Sequence, residues 1–383
     1  MRKVCVVITA RPSYSRIRSA LEALKARDDI ELQVVAAASA LLDRYGSVVT
    51  EIERDGFEIA SKVYMVLEGE QPSTMAKTTG IGMIELATAF DNLQPDFVVT
   101  IADRHETLAT AVASAYMNIP LVHIQGGEIT GSIDEKVRHA ITKLSDYHLV
   151  STEQARERVV RMGEEPETVI VTGCPSIDIA ARILDAPALE FDPVHKYGGV
   201  GAKVDLSNGY LVALQHPVTT EHELARRHVH ETLHAAADSG IPALWFWPNP
   251  DAGSDGTSRG IRAFRESHDP SNLHFFKNMA PEDFLRVLYH SSCLVGNSSA
   301  GIRECSFLGV PVVNIGGRQL GRDRGPNVLD VDHDRGAIAD AIRKQIAHGR
   351  YSSDSLYGDG AAGPRIADAI GRIEPRIHKR LNY

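Results

Sequence analysis

The chain has 383 residues, with 41 Lys+Arg against 50 Asp+Glu, 43% hydrophobic residues, four Cys and a formal charge of −9. That length suits two domains, and the apolar fraction supplies a core for each. The negative balance gives no general attraction for a nucleic-acid backbone or an anionic membrane, and no stretch approaches the roughly 20 apolar residues of a membrane span.

Cys5, Cys174, Cys293 and Cys305 lie far apart without a CxxC pair, so reduced thiols fit better than a disulfide framework or a zinc cluster. The apolar run after Arg2 and Lys3 is only about seven residues long and meets Arg11, too short for a signal peptide. The expectation is a soluble cytoplasmic protein that opens on a β-strand.

Taken in chain order, Val4–Thr9, Glu31–Ala37, Asp96–Ile101, Leu121–Gln125, Tyr147–Val150 and Val169–Thr172 read as strands rich in Val and Ile. Ser15–Ala26, Ser73–Leu93, Glu106–Met117, Asp134–Leu144 and Thr152–Met162 carry apolar residues at helical spacing. Continuous apolar strands alternating with helices predict an α/β, doubly wound parallel sheet. Residues 185–208 are rich in Pro, Gly and Asp and read as an interdomain linker. The alternation then restarts, with strands Tyr210–Leu214, Ala243–Trp247, Leu273–Phe276, Cys293–Gly296 and Val310–Ile315. Its helices are His222–Ala237, Gly256–Glu266, Pro281–Tyr289, Ser299–Leu308 and Asp334–Ala347, followed by a basic helical tail over Arg365–Arg380.

The expected division is a Rossmann-like lobe over 1–184, the linker, a second Rossmann-like lobe over 209–360, and a tail over 361–383 that crosses back to the first lobe. Ligands of open α/β sheets bind beyond the carboxyl ends of the strands. Two such lobes are expected to face a central cleft.

The polar residues that follow strands are distinctive. Arg11, Ser13 and Ser15 sit where a helix starts, a place that suits phosphate or a plain serine cap. Asp103 and Glu106 flank Arg104 at a strand-to-helix turn, as site carboxylates or as first-turn acids. Glu128, Asp134 and Glu135 load the loop after Gly126-Gly127, ahead of Lys136, Arg138 and His139. Ser132-Ile133-Asp134-Glu135 also has capping-box spacing.

In the second half His216 follows a strand, as a general acid, a phosphate donor or a structural histidine. Pro248-Asn249-Pro250-Asp251 reads first as a turn. Ser298 and Ser299 precede Glu304 where a helix starts, which suits phosphate and ribose. Gly316-Gly317-Arg318, continuing to Arg322 and Arg324, suits a multiply charged anion. No Walker motif or strict GxGxxG occurs, which disfavours an NTPase or an ordinary dehydrogenase.

Together these segments resemble the UDP-N-acetylglucosamine 2-epimerase family, and its hydrolysing branch in particular. That branch starts the synthesis of sialic-acid-type sugars. The residues that carry the resemblance are Asp103-Arg104, His123-Ile124-Gln125-Gly126-Gly127-Glu128 and Ile133-Asp134-Glu135 with Arg138-His139. Thr172-Gly173-Cys174-Pro175-Ser176 and Gly296-Asn297-Ser298-Ser299 complete the set.

The resemblance implies a GT-B-like fold and a nucleotide-sugar substrate. It also implies a reaction that removes the C2 proton of UDP-GlcNAc, expels UDP to leave a glycal, and adds water to give ManNAc. Asp103 and Asp134 would be the catalytic carboxylates, with His216 assisting at the diphosphate. Arg11, Ser15, Arg104, Arg138, Asn249, Ser298, Ser299, Glu304, Arg318 and Arg322 would hold the substrate. No metal or redox cofactor is implied, and a homodimer or homotetramer is.

Gln125 stands where many relatives carry Glu. An amide cannot act as a base, so that role is lost or passes to Glu128. A diacetamido-trideoxyhexose or a GDP-linked sugar is therefore a second substrate to consider. Rival functions are a non-hydrolysing epimerase, a GT-B glycosyltransferase that needs an acceptor, and a sugar-nucleotide-binding protein without catalysis.

Overall fold

The structure is a computed structural model that describes residues 1–42, 48–67, 71–130, 133–248 and 253–382. It forms two compact units. The first comprises Met1–Glu128, Ile133–Ile179 and Tyr357–Tyr383, and the second Ile129–Ser132 and Ala180–Leu356.

The strands of the first unit are β1 (Arg2–Ile8), β2 (Ile30–Ala37), β3 (Ile59–Val63), β4 (Phe97–Ile101), β5 (Leu121–Ile124), β6 (Tyr147–Val150) and β7 (Val169–Val171). They form a seven-stranded sheet in the order β3-β2-β1-β4-β5-β6-β7, with every pairing parallel. Successive strand residues point to opposite faces. Val4, Val6 and Ile8 therefore enter one core with Ile17 and Leu21, whereas Cys5 and Val7 enter another with Leu86 and Phe90. Two covered faces explain the unbroken apolar strands. Strand β3 was not anticipated, because only Val63 of its five residues is buried and an edge strand lacks the continuous apolar signal. The first helix begins at Arg11 rather than Ser15, with Pro12 in its first turn, where a fixed φ favours the helix and no N–H is needed.

The second unit contains β8 (Val200–Gly201), β9 (Leu211–Leu214), β10 (Ala243–Phe246), β11 (Leu273–Phe276), β12 (Cys293–Gly296), β13 (Val312–Ile315) and β14 (Val328–Val331). Their order is β14-β13-β12-β9-β10-β11-β8, parallel except for β8 against β11. The 185–208 segment is more than a connector. It supplies a helix at Pro193–Tyr197 as well as β8, and the Tyr197 hydroxyl donates to Asp283 at 2.6 Å. The expected helix Ser299–Leu308 is two, Ser299–Ile302 and Glu304–Leu308, broken at Arg303 with φ −98° and ψ −73°.

The tail helix is shorter than expected. It runs over Ala362–Arg372 and stops short of Arg380, since the residue before Pro375 is disfavoured in helical conformation. Asp178 accepts from the backbone N–H groups of Ala362 and Gly363 at 2.9 and 2.6 Å, seating the helix on the first unit. The extended stretch after it is anchored by Lys379, which pairs with the buried Glu164 at 2.6 Å. Among the described residues, no helix is long and apolar enough to cross a membrane.

Candidate active site

In the first unit the strand ends carry unusual backbone. Strands β2, β4 and β5 are followed directly by Ala38, Ala102 and Gln125, with φ of 51°, 66° and 66°. Non-glycine residues in this left-handed region are each uphill by about 1–3 kcal/mol and persist only where the surroundings enforce them.

His123 enforces Ala102. Its Nε2–H donates to the Ala102 carbonyl at 2.9 Å, which leaves Nδ1 to accept from the Thr142 hydroxyl at 3.2 Å. Burial pushes the His123 imidazole down to about 3, so it is a neutral positioning group at physiological pH.

Asp103 follows this turn and is 9% exposed. Its carboxylate is ion-paired with Arg138, a side chain only 1% exposed. The same guanidinium donates to the Glu128 carbonyl at 2.8 Å and to Glu135 at 3.1 Å. One buried cation thus ties the turn after β4, the loop after β5 and the first turn of the helix Asp134–Leu144. Asp134 opens that helix and is partly exposed. The Glu128 carboxylate is buried and accepts from the Ser151 hydroxyl at 3.2 Å.

Gln125 is 1% exposed, and its amide donates to Cys174 Sγ at 2.9 Å. Cys174 in turn contacts the Ser176 hydroxyl at 3.0 Å. Gln125 Oε1 is buried and has no partner among the described residues. The two glycines that follow permit close packing: a Cβ on Gly127 would lie 2.3 Å from the Ala155 carbonyl oxygen.

Asp103 and Glu106 do not act as a pair. Glu106 is buried and takes Arg104 in a forked contact at 2.9 and 3.1 Å. Burial by itself raises the Glu106 carboxyl, but Arg104 and His105 outweigh it and hold the group below its ordinary value. Arg11 stands at the start of its helix, 4.0 Å from Glu51. Ser15 lies one turn further along and is half-buried.

In the second unit His216 follows β9 and is buried. Asn297, at the end of β12, clamps its backbone from both sides. The Asn297 side-chain oxygen accepts from the His216 N–H at 2.7 Å, and its NH₂ donates to the His216 carbonyl at 2.8 Å. The Asn297 carbonyl accepts from Arg318 at 3.2 Å and from Gln319 at 2.9 Å. Arg322 is buried and donates to Gln319 at 2.9 Å and to the Ile129 carbonyl at 3.3 Å.

The Ser298 hydroxyl accepts from the Ala300 N–H at 3.3 Å as a helix cap, and Ser299 begins that short helix. Glu304 starts the next one, with Oε2 buried and without a hydrogen-bond partner among the described residues. Asn249 lies outside the described residues. Asn297 and Cys174 escaped the sequence reading as positioning groups, although both stand inside conspicuous motifs. Neither carries charge, and only the register of neighbouring strands reveals what it touches.

The strand ends of the first unit present carboxylates, a set suited to acid–base chemistry; those of the second unit, taken by itself, present a histidine with serine hydroxyls and arginines, a set suited to a diphosphate. The family described as UDP-N-acetylglucosamine 2-epimerase matches residues 22–371. A UDP-N,N'-diacetylbacillosamine 2-epimerase (hydrolyzing) of Legionella pneumophila is 33% identical over 100% of this chain and 98% of its own length. A UDP-N-acetylglucosamine 2-epimerase of Neisseria meningitidis is 29% identical over 98% of this chain and 96% of its own. The crystal structure of a UDP-GlcNAc 2-epimerase from Neisseria meningitidis bound to UDP-GlcNAc superimposes with a TM-score of 0.79 at 18% identity, covering 96% of this chain and 99% of that one. Matched in sequence along nearly its whole length and alike in fold, the chain belongs to the UDP-N-acetylglucosamine 2-epimerase family.

Proposed function

We propose that this protein is a hydrolysing 2-epimerase of a nucleoside-diphosphate 2-acetamido sugar, converting UDP-GlcNAc and water to UDP and ManNAc. A carboxylate removes the C2 proton, and the electron pair of the C–H bond forms a C1=C2 double bond as the C1–O bond to UDP breaks. Water then adds across that double bond, its oxygen to C1 and a proton to the opposite face of C2. The observation that carries the reading is the full-length likeness to the Legionella relative, whose name specifies hydrolysis.

Residue roles follow the same reading. The first unit supplies the proton-transfer groups Asp103, Asp134 and Glu128, with Arg138 positioning Asp103. A carboxamide at Gln125 contributes no base, and its contact with Cys174 supports a positioning role. The second unit holds the nucleotide through Ser298, Ser299, Glu304, Arg318 and Asn249, with His216 at the diphosphate. Arg322 supports that loop through Gln319. Arg11, Ser15 and Arg104 complete the substrate contacts from the first unit. A cytoplasmic homodimer or homotetramer belongs to the same reading.

The Legionella relative also favours a second substrate, a UDP-linked diacetamido-trideoxyhexose. Incubation with each sugar nucleotide in D₂O, followed by proton and phosphorus NMR, tests both. The expected result is UDP plus free sugar deuterated at C2. Release of an epimerised sugar nucleotide with no free sugar would exclude hydrolysis, and a requirement for an acceptor would indicate a glycosyltransferase.

A further inference from the structure

Outside the groups assigned to the reaction, the second unit brings Glu221, His228 and His333 together. Each offers a ligand atom, and these atoms lie within 4.8 Å of one another. Glu221 sits on the short 3₁₀ turn Thr219–Leu224, with φ −124° and ψ 24°, off helical geometry. His228 is one turn into the helix Ala225–Asp238, and its Nδ1 is 3.7 Å from the Glu221 carboxylate. His333 comes from a distant part of the sequence, just after β14 and next to Asp334, which caps the following helix. Its ring rests where β13 ends, and a Cβ on Gly316 would lie 2.2 Å from His333 Nε2.

We propose that Glu221, His228 and His333 bind a divalent transition-metal ion, Zn²⁺ foremost. Both ring nitrogens of His333 are buried and have no hydrogen-bond partner among the described residues. A buried imidazole normally satisfies its donor and its acceptor, and coordination satisfies a bare nitrogen directly.

The donor set fits such an ion. Two imidazoles and one carboxylate are the ligands of open zinc sites, with a fourth position for water. A hard cation such as Mg²⁺ or Ca²⁺ prefers oxygen ligands.

The two rings are stacked face to face, with centroids 3.7 Å apart and planes 4° from parallel. Parallel lone pairs do not converge, so binding rotates the rings out of the stack about their Cβ–Cγ bonds. Glu221, on an exposed turn, follows. The site does not depend on the proposed reaction.

The test is calorimetric titration of the tag-free protein with zinc chloride, together with the visible spectrum of the Co²⁺ form. The expected result is one ion per chain, an affinity in the micromolar range or tighter, and cobalt ligand-field bands. His333→Gln and Glu221→Gln, each checked for folding by circular dichroism, should weaken binding by at least about tenfold. His234→Gln is the control, since His234 lies on the same helix but packs on Phe264 and His268, and it should bind like the wild type. Absence of a stoichiometric site in the wild type overturns the proposal. So does wild-type affinity in folded His333→Gln and Glu221→Gln proteins.

Discussion

Arg138 and Asp103 offer a sharp test, because removing either partner should act differently on stability and on turnover. In Asp103→Asn the amide oxygen can still accept from Arg138. The guanidinium also keeps the Glu128 carbonyl at 2.8 Å and Glu135 at 3.1 Å, so about 1–2 kcal/mol of stability is lost. Arg138→Met has no such cover. It strands the Asp103 carboxylate, whose side chain is only 12% exposed, and the Glu128 carbonyl loses a charged donor. Breaking a buried pair in this way costs about 3–5 kcal/mol. Glu135 adds little, since it is 29% exposed. Turnover should show the reverse order of severity: Asp103→Asn abolishes it while UDP affinity is preserved. Urea unfolding, a UDP-release assay and calorimetric titration with UDP measure the three quantities. A wild-type unfolding midpoint in Arg138→Met, or wild-type turnover in Asp103→Asn, would refute the reasoning.

Other expected outcomes concern single features. Asn297→Ala leaves the His216 N–H and carbonyl without the partners they have at 2.7 and 2.8 Å. It should cost roughly 2–4 kcal/mol and weaken UDP binding; a neutral effect on urea unfolding would show that the clamp is dispensable. Ser298→Ala combined with Ser299→Ala should weaken UDP binding by ~1–3 kcal/mol, and unchanged affinity in calorimetry would remove those hydroxyls from the site. Glu164 is the pH probe. Burial alone would raise its carboxyl, but hydrogen bonds from His148, Lys143 and Lys379 hold it down at about 2, below its ordinary 4.5. Its contribution is therefore complete above pH 4.5 and is lost as pH falls toward 2. Glu164→Gln should flatten the melting temperature against pH over that acid range and expose the tail beyond Arg372 to protease; an unchanged slope contradicts this.

How legible each part was depended on the range of the interaction that decided it. Strands such as β4 and β11 were plain in the sequence because burial on two faces leaves them apolar apart from one residue each, Thr100 and His274. The edge strands β3 and β14 were not, since β3 has one buried position among five and β14 has none. Motifs located the strand-end loops, because a helix start after an apolar run is a local feature. They could not show that Glu106 takes Arg104 for itself, that Arg322 works through Gln319, or that Gln125 faces Cys174.

The sequence by itself determined the α/β class, the two sheets, the family and the loops that carry polar chemistry, because periodicity and short motifs are written in contiguous residues. Tertiary structure alone decided the pairing of Asp103 with Arg138, the Asn297 clamp on His216 and the meeting of Glu221 and His228 with His333. Those partners come from separate strands and helices, and their contacts depend on sheet order, register and burial, which no local pattern encodes.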